Sequence, residues 1–142
     1  MKIISVDVVG TPASQGSLVG NSRFGMRYQN DKALKMWRCD VITELIAKKP
    51  DDWDIDAAFS VSCELRFLRP KAHYGKKGLR PSAPQYKTTK IDLDKGIRAI
   101  GDAIEHSGLI RNDSQIIHWA ASKRYCETGE SPGASITLSS QP

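Results

Sequence analysis

The sequence predicts an α+β fold in which a small mixed β-sheet packs against two main helices. Segments with alternating apolar and polar residues are interspersed with segments whose apolar residues recur every three or four positions, in the order β-α-β-α-β-β. With 142 residues, 39% of them apolar, the chain is long enough for one domain with its own core and short for two. We therefore expect a single domain over residues 1–142.

The first half of the chain supplies a strand, a helix and a second strand. Residues 3–9 are rich in β-branched side chains and predict a strand, whereas the turn-forming residues of 10–17 predict a loop. Residues 31–48 carry apolar residues at helical spacing and predict the first helix, with Ile46 on its apolar stripe. Residues 58–68 alternate between apolar and polar side chains, which predicts a half-buried strand.

The second half supplies a helix and two strands. Residues 92–106 predict the second helix. Its apolar stripe consists of Leu93, Ile97, Ile100 and Ile104, and its polar side carries Asp94, Arg98, Asp102 and Glu105. Residues 116–125 and 134–139 predict two strands, which we expect to form a hairpin across residues 127–133.

Composition excludes several classes of protein. No run approaches the roughly 18 to 20 apolar residues of a membrane helix, and Asp7 interrupts the N-terminal apolar stretch, so we expect a cytoplasmic protein without a membrane partner. The three cysteines, Cys39, Cys63 and Cys126, are far apart and form no C-x-x-C pair, which favours reduced thiols over disulfides or a zinc site.

The positive charge is concentrated in one stretch. Residues 66–90 hold eight of the 21 Lys and Arg and no Asp or Glu, although the whole chain has a net charge of only +5. Several Pro and Gly residues predict a loop at about 69–90, here called the basic loop, with His73, Tyr74 and Tyr86 as candidates for base stacking. Such a loop suits a nucleic-acid backbone, but a solvated loop that serves solubility has the same composition. Its candidate DNA-binding residues are Arg69, Lys71, Lys76, Lys77, Arg80, Lys87 and Lys90.

Acidic residues follow the basic loop directly, in a segment at about 91–116. Asp92 and Asp94 stand at the predicted helix start, and Asp113 stands where the next strand begins. Carboxylates are the ligands that Mg²⁺ prefers. A structural alternative exists for each residue. Asp92 can cap the helix, and Asp94 can be stabilised by the helix dipole or pair with Arg98. Asp113 can belong to a turn.

The order of these residues resembles a known family. Residues 92–98 read D-L-D-K-G-I-R, Asp102 follows within the apolar helix, and Gly108 precedes N-D-S-Q at residues 112–115. This pattern resembles the RusA-type Holliday-junction resolvases, small homodimeric Mg²⁺-dependent endonucleases, and in particular their phage members. The resemblance is close over residues 87–125 and extends to the rest of the chain only in layout.

The resemblance implies a fold, a site and a substrate. It implies a RusA-like α+β homodimer that resolves four-way DNA junctions in recombination and repair, in a bacterial or phage-infected cell. Asp92, Asp94 and Asp113 would hold Mg²⁺, for which Mn²⁺ can substitute, to cut the phosphodiester. Arg98 stands at the position of the family's functional lysine, and Lys95 offers a second cation at the site. Because guanidinium does not titrate usefully, Arg98 supplies charge rather than a proton.

Two other classes of function stay open on the residues alone. The first is a non-catalytic DNA-binding module in which the acids are helix caps and only the basic loop acts. The second is a nuclease that prefers flaps, other branched DNA or RNA.

Overall fold

The computed structural model describes residues 1–15, 18–21, 25–28 and 31–142, and the side chains of 1–15 and 32–142. The strands are β1 (Ile3–Val9), β2 (Leu18–Asn21), β3 (Gly25–Tyr28), β4 (Phe59–Phe67), β5 (Tyr74–Gly75), β6 (Gly78–Leu79), β7 (Ile116–Tyr125) and β8 (Gly133–Ser140). The helices are α1 (Asp31–Lys48) and α2 (Leu93–His106), and single 3₁₀ turns lie at Lys71–His73 and Asp113–Gln115. Neither helix is long and apolar enough to cross a membrane.

Four of these strands form the central sheet, in the order β1-β8-β4-β7. β4 and β7 are parallel, whereas β8 is antiparallel to both β1 and β4. The α+β fold with a small mixed sheet and two main helices is therefore confirmed. The strands β2 and β3 pair with each other and were not predicted, and residues 16–17 of the predicted loop lie outside the described residues.

The predicted hairpin between β7 and β8 is wrong. β8 lies between β1 and β4, and residues 126–132 carry the chain across the end of β4. The Cys126 N–H donates a hydrogen bond of 2.7 Å to the Phe67 carbonyl at that crossing. The outer face of the inner strand β4 is partly covered, whereas that of the edge strand β1 is exposed; alternation in a sequence shows only which face a residue occupies and not which strand lies beside it.

Both helices contribute to the core. Leu34, Trp37, Val41 and Leu45 of α1 are buried, as are Ala99, Ile100, Ala103 and Ile104 of α2. They join a single cluster with buried residues of the sheet, including Phe59, Val61, Leu65, Ile136 and Leu138. Ile46 is 55% exposed, so its predicted place on the buried stripe of α1 is wrong; the stripe is narrower than the sequence indicates.

Gly96 explains how closely α2 approaches the sheet. A Cβ on this residue would lie 2.7 Å from Cδ1 of Leu65, which is fully buried in β4. Glycine disfavours a helix by about 1 kcal/mol relative to alanine. The close approach of α2 to β4 accounts for a glycine in the first turns of this helix.

Gly133 permits an equally close approach of β8 to the end of β1. A Cβ there would lie 1.8 Å from the Val8 carbonyl oxygen and 2.9 Å from its carbon, and the φ of Gly133 is +155°. We expect Gly133→Ala to lower the free energy of unfolding by about 3 kcal/mol or more, because main-chain atoms of β1 would have to move. Urea denaturation measures this loss.

Gly129→Ala is the matched control. Gly129 also has a positive φ, +82°, but a Cβ there would meet nothing within 4 Å. The control therefore reports backbone strain alone, about 1–2 kcal/mol. Equal losses in the two variants would contradict the packing argument for Gly133.

Candidate active site

Helix α2 runs antiparallel to β7 on the covered face of the sheet. Near the end of β7, the Lys123 ammonium donates hydrogen bonds of 2.9 and 2.8 Å to the carbonyls of Thr89 and Ile91, just before α2. Farther along the helix, Gly101 lies beside the Trp119 ring, which a Cβ would meet at 3.5 Å. The start of α2 therefore lies at the end of β7, and the end of α2 lies where β7 begins.

Asp92 and Asp94, the helix-start acids, are both exposed. Asp92 has the extended backbone of an N-cap, but its side chain accepts no capping hydrogen bond and lies 3.9 Å from the Lys95 ammonium. Asp94 occupies the first turn of α2 and forms no ion pair with Arg98 among the described side chains. Capping by Asp92 and pairing of Asp94 with Arg98 therefore do not account for these residues.

Asp113 lies in a well-anchored 3₁₀ turn. The Asn112 side chain accepts a hydrogen bond of 2.9 Å from the Ser114 N–H, and the Gln115 side chain accepts one of 3.0 Å from the Asn112 N–H, which forms a capping box. The Gln115 amide also donates to the carbonyls of Ile55 and Ala57, at 2.9 Å each. Asn112 thus has a structural role, and the exposed Asp113 carboxylate is left facing solvent.

Arg111 also anchors this turn. Its guanidinium donates hydrogen bonds to the Asp56 carboxylate and lowers the pKa of that carboxyl. The turn that carries Asp113 is thereby tied to the segment before β4, so its position does not depend on the turn alone.

Asp113 meets two acids of α2, and the three form the acidic cluster. Oxygens of Asp102, Glu105 and Asp113 all lie within 4.8 Å of one another, with Asp102 and Glu105 half-buried. Carboxylate oxygens at such distances are suitable donors for a hard divalent cation. In the sequence, Asp102 and Glu105 were assigned to the polar side of α2, and Asp102 also to the family motif, but neither was predicted as a metal ligand; acids repeated on one helical face were the signal that could have identified them.

The structure does not bring the helix-start acids to the acidic cluster within one chain. Asp94 and Asp102 are eight residues apart on α2, which corresponds to about 12 Å along the helix axis. Among the described residues, Asp92 and Asp94 belong to no group of three acids, histidines or cysteines with this spacing. The predicted combination of Asp92, Asp94 and Asp113 is therefore not assembled in a single chain.

Arg98 lies between the two acidic regions. It is exposed and lines a cavity of about 280 Å³ together with Gln15, Asp102, Asp113 and residues of α2 and β7. Arg38 of α1 fixes one wall of this cavity, because its Nη2 donates to Gln15 at 2.9 Å and to Asp102 at 3.1 Å. The positively charged Arg98 guanidinium can therefore bind an anion in the cavity.

The basic loop is more ordered than its composition predicts. The strands β5 and β6 form a short hairpin within it. The Arg69 guanidinium lies 4.6 Å from the centre of the Tyr125 ring and donates a hydrogen bond of 2.7 Å to the Pro84 carbonyl. The Lys87 ammonium lies 4.9 Å from the Phe67 ring, and burial, with the charge of Lys123, lowers its pKa.

The other predicted DNA-binding residues face solvent. They are Lys71, Lys76, Lys77, Arg80 and Lys90, all exposed. Arg66, the first cation of the basic stretch, is only 4% exposed and pairs with Asp7 at 2.9 Å. It stabilises the sheet, so it does not contribute charge to the surface of the basic loop.

A network of ion pairs fixes the crossing between β7 and β8. Arg124 donates to Glu64 at 2.9 Å and to both oxygens of Glu130 at 2.6 and 2.8 Å. These hydrogen bonds lower the pKa of Glu130 to about 2. Ion pairs thus hold the crossing between β7 and β8 in place.

Comparisons with known proteins match nearly the whole chain. A "Uncharacterized protein YqaN" of Bacillus subtilis (strain 168) is 25% identical over 130 residues, which cover 89% of this chain and 91% of that protein. The family model described as "Endodeoxyribonuclease RusA" matches residues 10–139. The chain belongs to the RusA endodeoxyribonuclease family.

Proposed function

We propose that this protein is a Mg²⁺-dependent, structure-selective endonuclease that resolves four-way DNA junctions by paired phosphodiester cuts. Membership of the RusA family supports nuclease activity on branched DNA. The observation that carries the proposal is a row of exposed and half-buried acids along α2 and the following turn, next to a loop of solvent-facing cations. Carboxylates can bind a metal ion, and cationic side chains can bind the phosphates of DNA. This surface therefore carries both kinds of group that such an enzyme requires.

We further propose that two copies complete each metal site. Oxygen ligands lie about 2.0–2.1 Å from Mg²⁺, so two ligands of one ion are no more than about 4.2 Å apart. The helix-start acids and Asp113 lie at opposite ends of α2. A two-fold axis that sets two α2 helices antiparallel would place the start of one helix beside the end of the other.

This arrangement agrees with the reaction. A four-way junction has two strands to cut, and a two-fold dimer presents two equivalent sites. Asp92, Asp94 and Asp113 are exposed, as side chains shared across an interface must be in the separate chain. Their mutual repulsion in the dimer is relieved when a cation lies between them.

Each residue of the proposed site has a separate task. Asp92 and Asp94 of one copy and Asp113 of the other hold the metal ion. When bound, Mg²⁺ would supply Lewis-acid chemistry for hydrolysis of the phosphodiester. Arg98 stabilises negative charge on the scissile phosphate, and Lys95, beside Asp92, provides a second cation. The exposed cations of the basic loop hold the DNA arms.

Cleavage of labelled substrates tests the proposed function. Four-way junction, linear duplex, flap and RNA duplex are incubated with the protein at one salt concentration, with Mg²⁺ or with EDTA. We expect paired cuts in the junction with Mg²⁺ and none with EDTA. Binding without product strands would indicate the non-catalytic module, and preferred cutting of flap or RNA would change the assigned substrate.

The charge of the basic loop makes a separate prediction. Lys76→Gln with Lys77→Gln should weaken binding to junction and duplex alike and reduce the slope of log K against log salt by about 2 in magnitude, because two phosphate contacts are lost. The control is Lys48→Gln with Lys49→Gln, which removes two exposed charges at the end of α1. A similar loss in the control would show that the location of the charges does not matter.

A further inference from the structure

A second cavity lies at the junction of the basic loop and the sheet, and the proposed metal site does not use it. Its volume is about 470 Å³, within the range of about 300–1,000 Å³ that is usual for small-ligand sites. We call it the tyrosine pocket. It is lined by residues of the basic loop, among them Tyr74, Leu79 and Tyr86, and by Tyr125 and its neighbours at the end of β7.

The apolar part of the pocket is exposed to solvent. Tyr74 is 37% exposed, Leu79 50% and Tyr86 71%. All three lie in the basic loop, on or after its short hairpin. Two aromatic rings and an aliphatic side chain therefore face a single concavity within the most cationic part of the chain.

The back wall of the pocket is held by contacts within the chain. Tyr125 is only 7% exposed, with Arg69 over its ring at 4.6 Å and the His73 ring edge-on at 5.2 Å. Arg124 is held by its hydrogen bonds to Glu64 and Glu130. These contacts fix the positions of Tyr125 and Arg124 in the wall of the pocket.

The chemistry of the lining indicates which ligand fits. Aromatic rings offer stacking surfaces, and Gln85, Thr128 and Glu127 supply hydrogen-bonding groups of both kinds. Arg69 and Arg124 contribute positive charge to the lining, and residues 66–90 of the chain contain no acid. A flat heterocycle attached to a phosphate chain matches this combination, because stacking and phosphate contacts act together in single-strand binding.

We infer that the tyrosine pocket binds one unpaired nucleobase of branched DNA, with Tyr86 and Tyr74 as its stacking residues. The inference rests on the proposed function for the substrate class and adds a base-binding site to it. The pocket lies at the end of β7, as do the helix-start acids, since Lys123 of β7 binds the Ile91 carbonyl. A base held there would fix a strand of the junction near the proposed metal site.

Tyr86→Leu tests the inference, with Tyr86→Phe as the matched control. Tyr86 is exposed, so neither change disturbs the core, and phenylalanine keeps the stacking ring. We expect Tyr86→Leu to weaken junction binding by about 5- to 100-fold, as for loss of one stacked base, and to leave linear-duplex binding and the salt slope unchanged. The control should bind like the unaltered protein.

A fluorescent base separates this inference from the proposed function. 2-Aminopurine is placed in a short single strand, at an unpaired position, and in a junction, at the branch point. In both DNAs its fluorescence should change when the unaltered protein binds. The change should be smaller with Tyr86→Leu. Unaltered signals and affinities in Tyr86→Leu would overturn the pocket assignment even if the junction is cut normally. Failure of the unaltered protein to cut junctions would refute the proposed function, while the single-strand signal still tests the pocket.

Discussion

Asp113→Asn should reduce Mg²⁺-dependent cleavage of a four-way junction by at least about 100-fold while junction binding is largely retained. The change removes the charge from a proposed metal ligand but preserves its size. Asp113 is exposed and its turn is held by Asn112 and Gln115, so the fold should not change. Product strands on a denaturing gel measure cleavage, and a gel shift in Ca²⁺ measures binding.

Asp51→Asn is the control for this charge change. Asp51 is also exposed and lies in the turn after α1, outside the proposed site. The Asp51→Asn variant should cleave the junction at the rate of the unaltered protein. Full activity of Asp113→Asn would remove Asp113 from the site, and equal losses in both variants would point to a general effect of charge.

A mixture of two inactive variants should recover cleavage if each site is shared between two copies. In a mixed dimer of Asp94→Asn and Asp113→Asn, one site receives both substitutions and the other receives none. Co-expression with different affinity tags isolates this mixed dimer. We expect it to cut one strand of each junction, at up to about half the rate of the unaltered dimer, whereas each variant alone is inactive.

The matched control combines Asp92→Asn with Asp94→Asn. Both residues belong to the helix start, so each site of that mixed dimer carries one substitution and should be inactive. Recovery in neither mixture would contradict a shared site, since a site built within one chain is damaged in both copies. Equal recovery in both mixtures would show that the substitutions do not act on a common metal site.

The sequence predicts the individual elements better than their arrangement. The bounds of β1 and α1 are confirmed, because β-branched runs and helical spacing are local signals. The pairing of β7 is not local: alternation cannot show that β4 rather than β8 is its neighbour. The family resemblance to RusA is confirmed, whereas the roles of individual site residues stay predictions.

The parallel pairing of β7 with β4 also explains why Asp113 lies far from the start of α2. Parallel pairing of β4 with β7 requires α2 to return antiparallel to them, which places the turn after α2 at its far end. A hairpin of β7 with β8 sets no such constraint. The capping box of Asn112 and Gln115 was visible in N-D-S-Q and could have separated the structural Asn112 from Asp113.

Anomalous diffraction from crystals containing Mn²⁺ locates the metal ion and shows whether two copies of the chain share it. We expect a peak between Asp92 and Asp94 of one copy and Asp113 of a second copy, related by a two-fold axis. A peak held only by Asp102, Glu105 and Asp113 of a single chain would contradict the shared site, as would crystals in which no ordered ion lies near these acids.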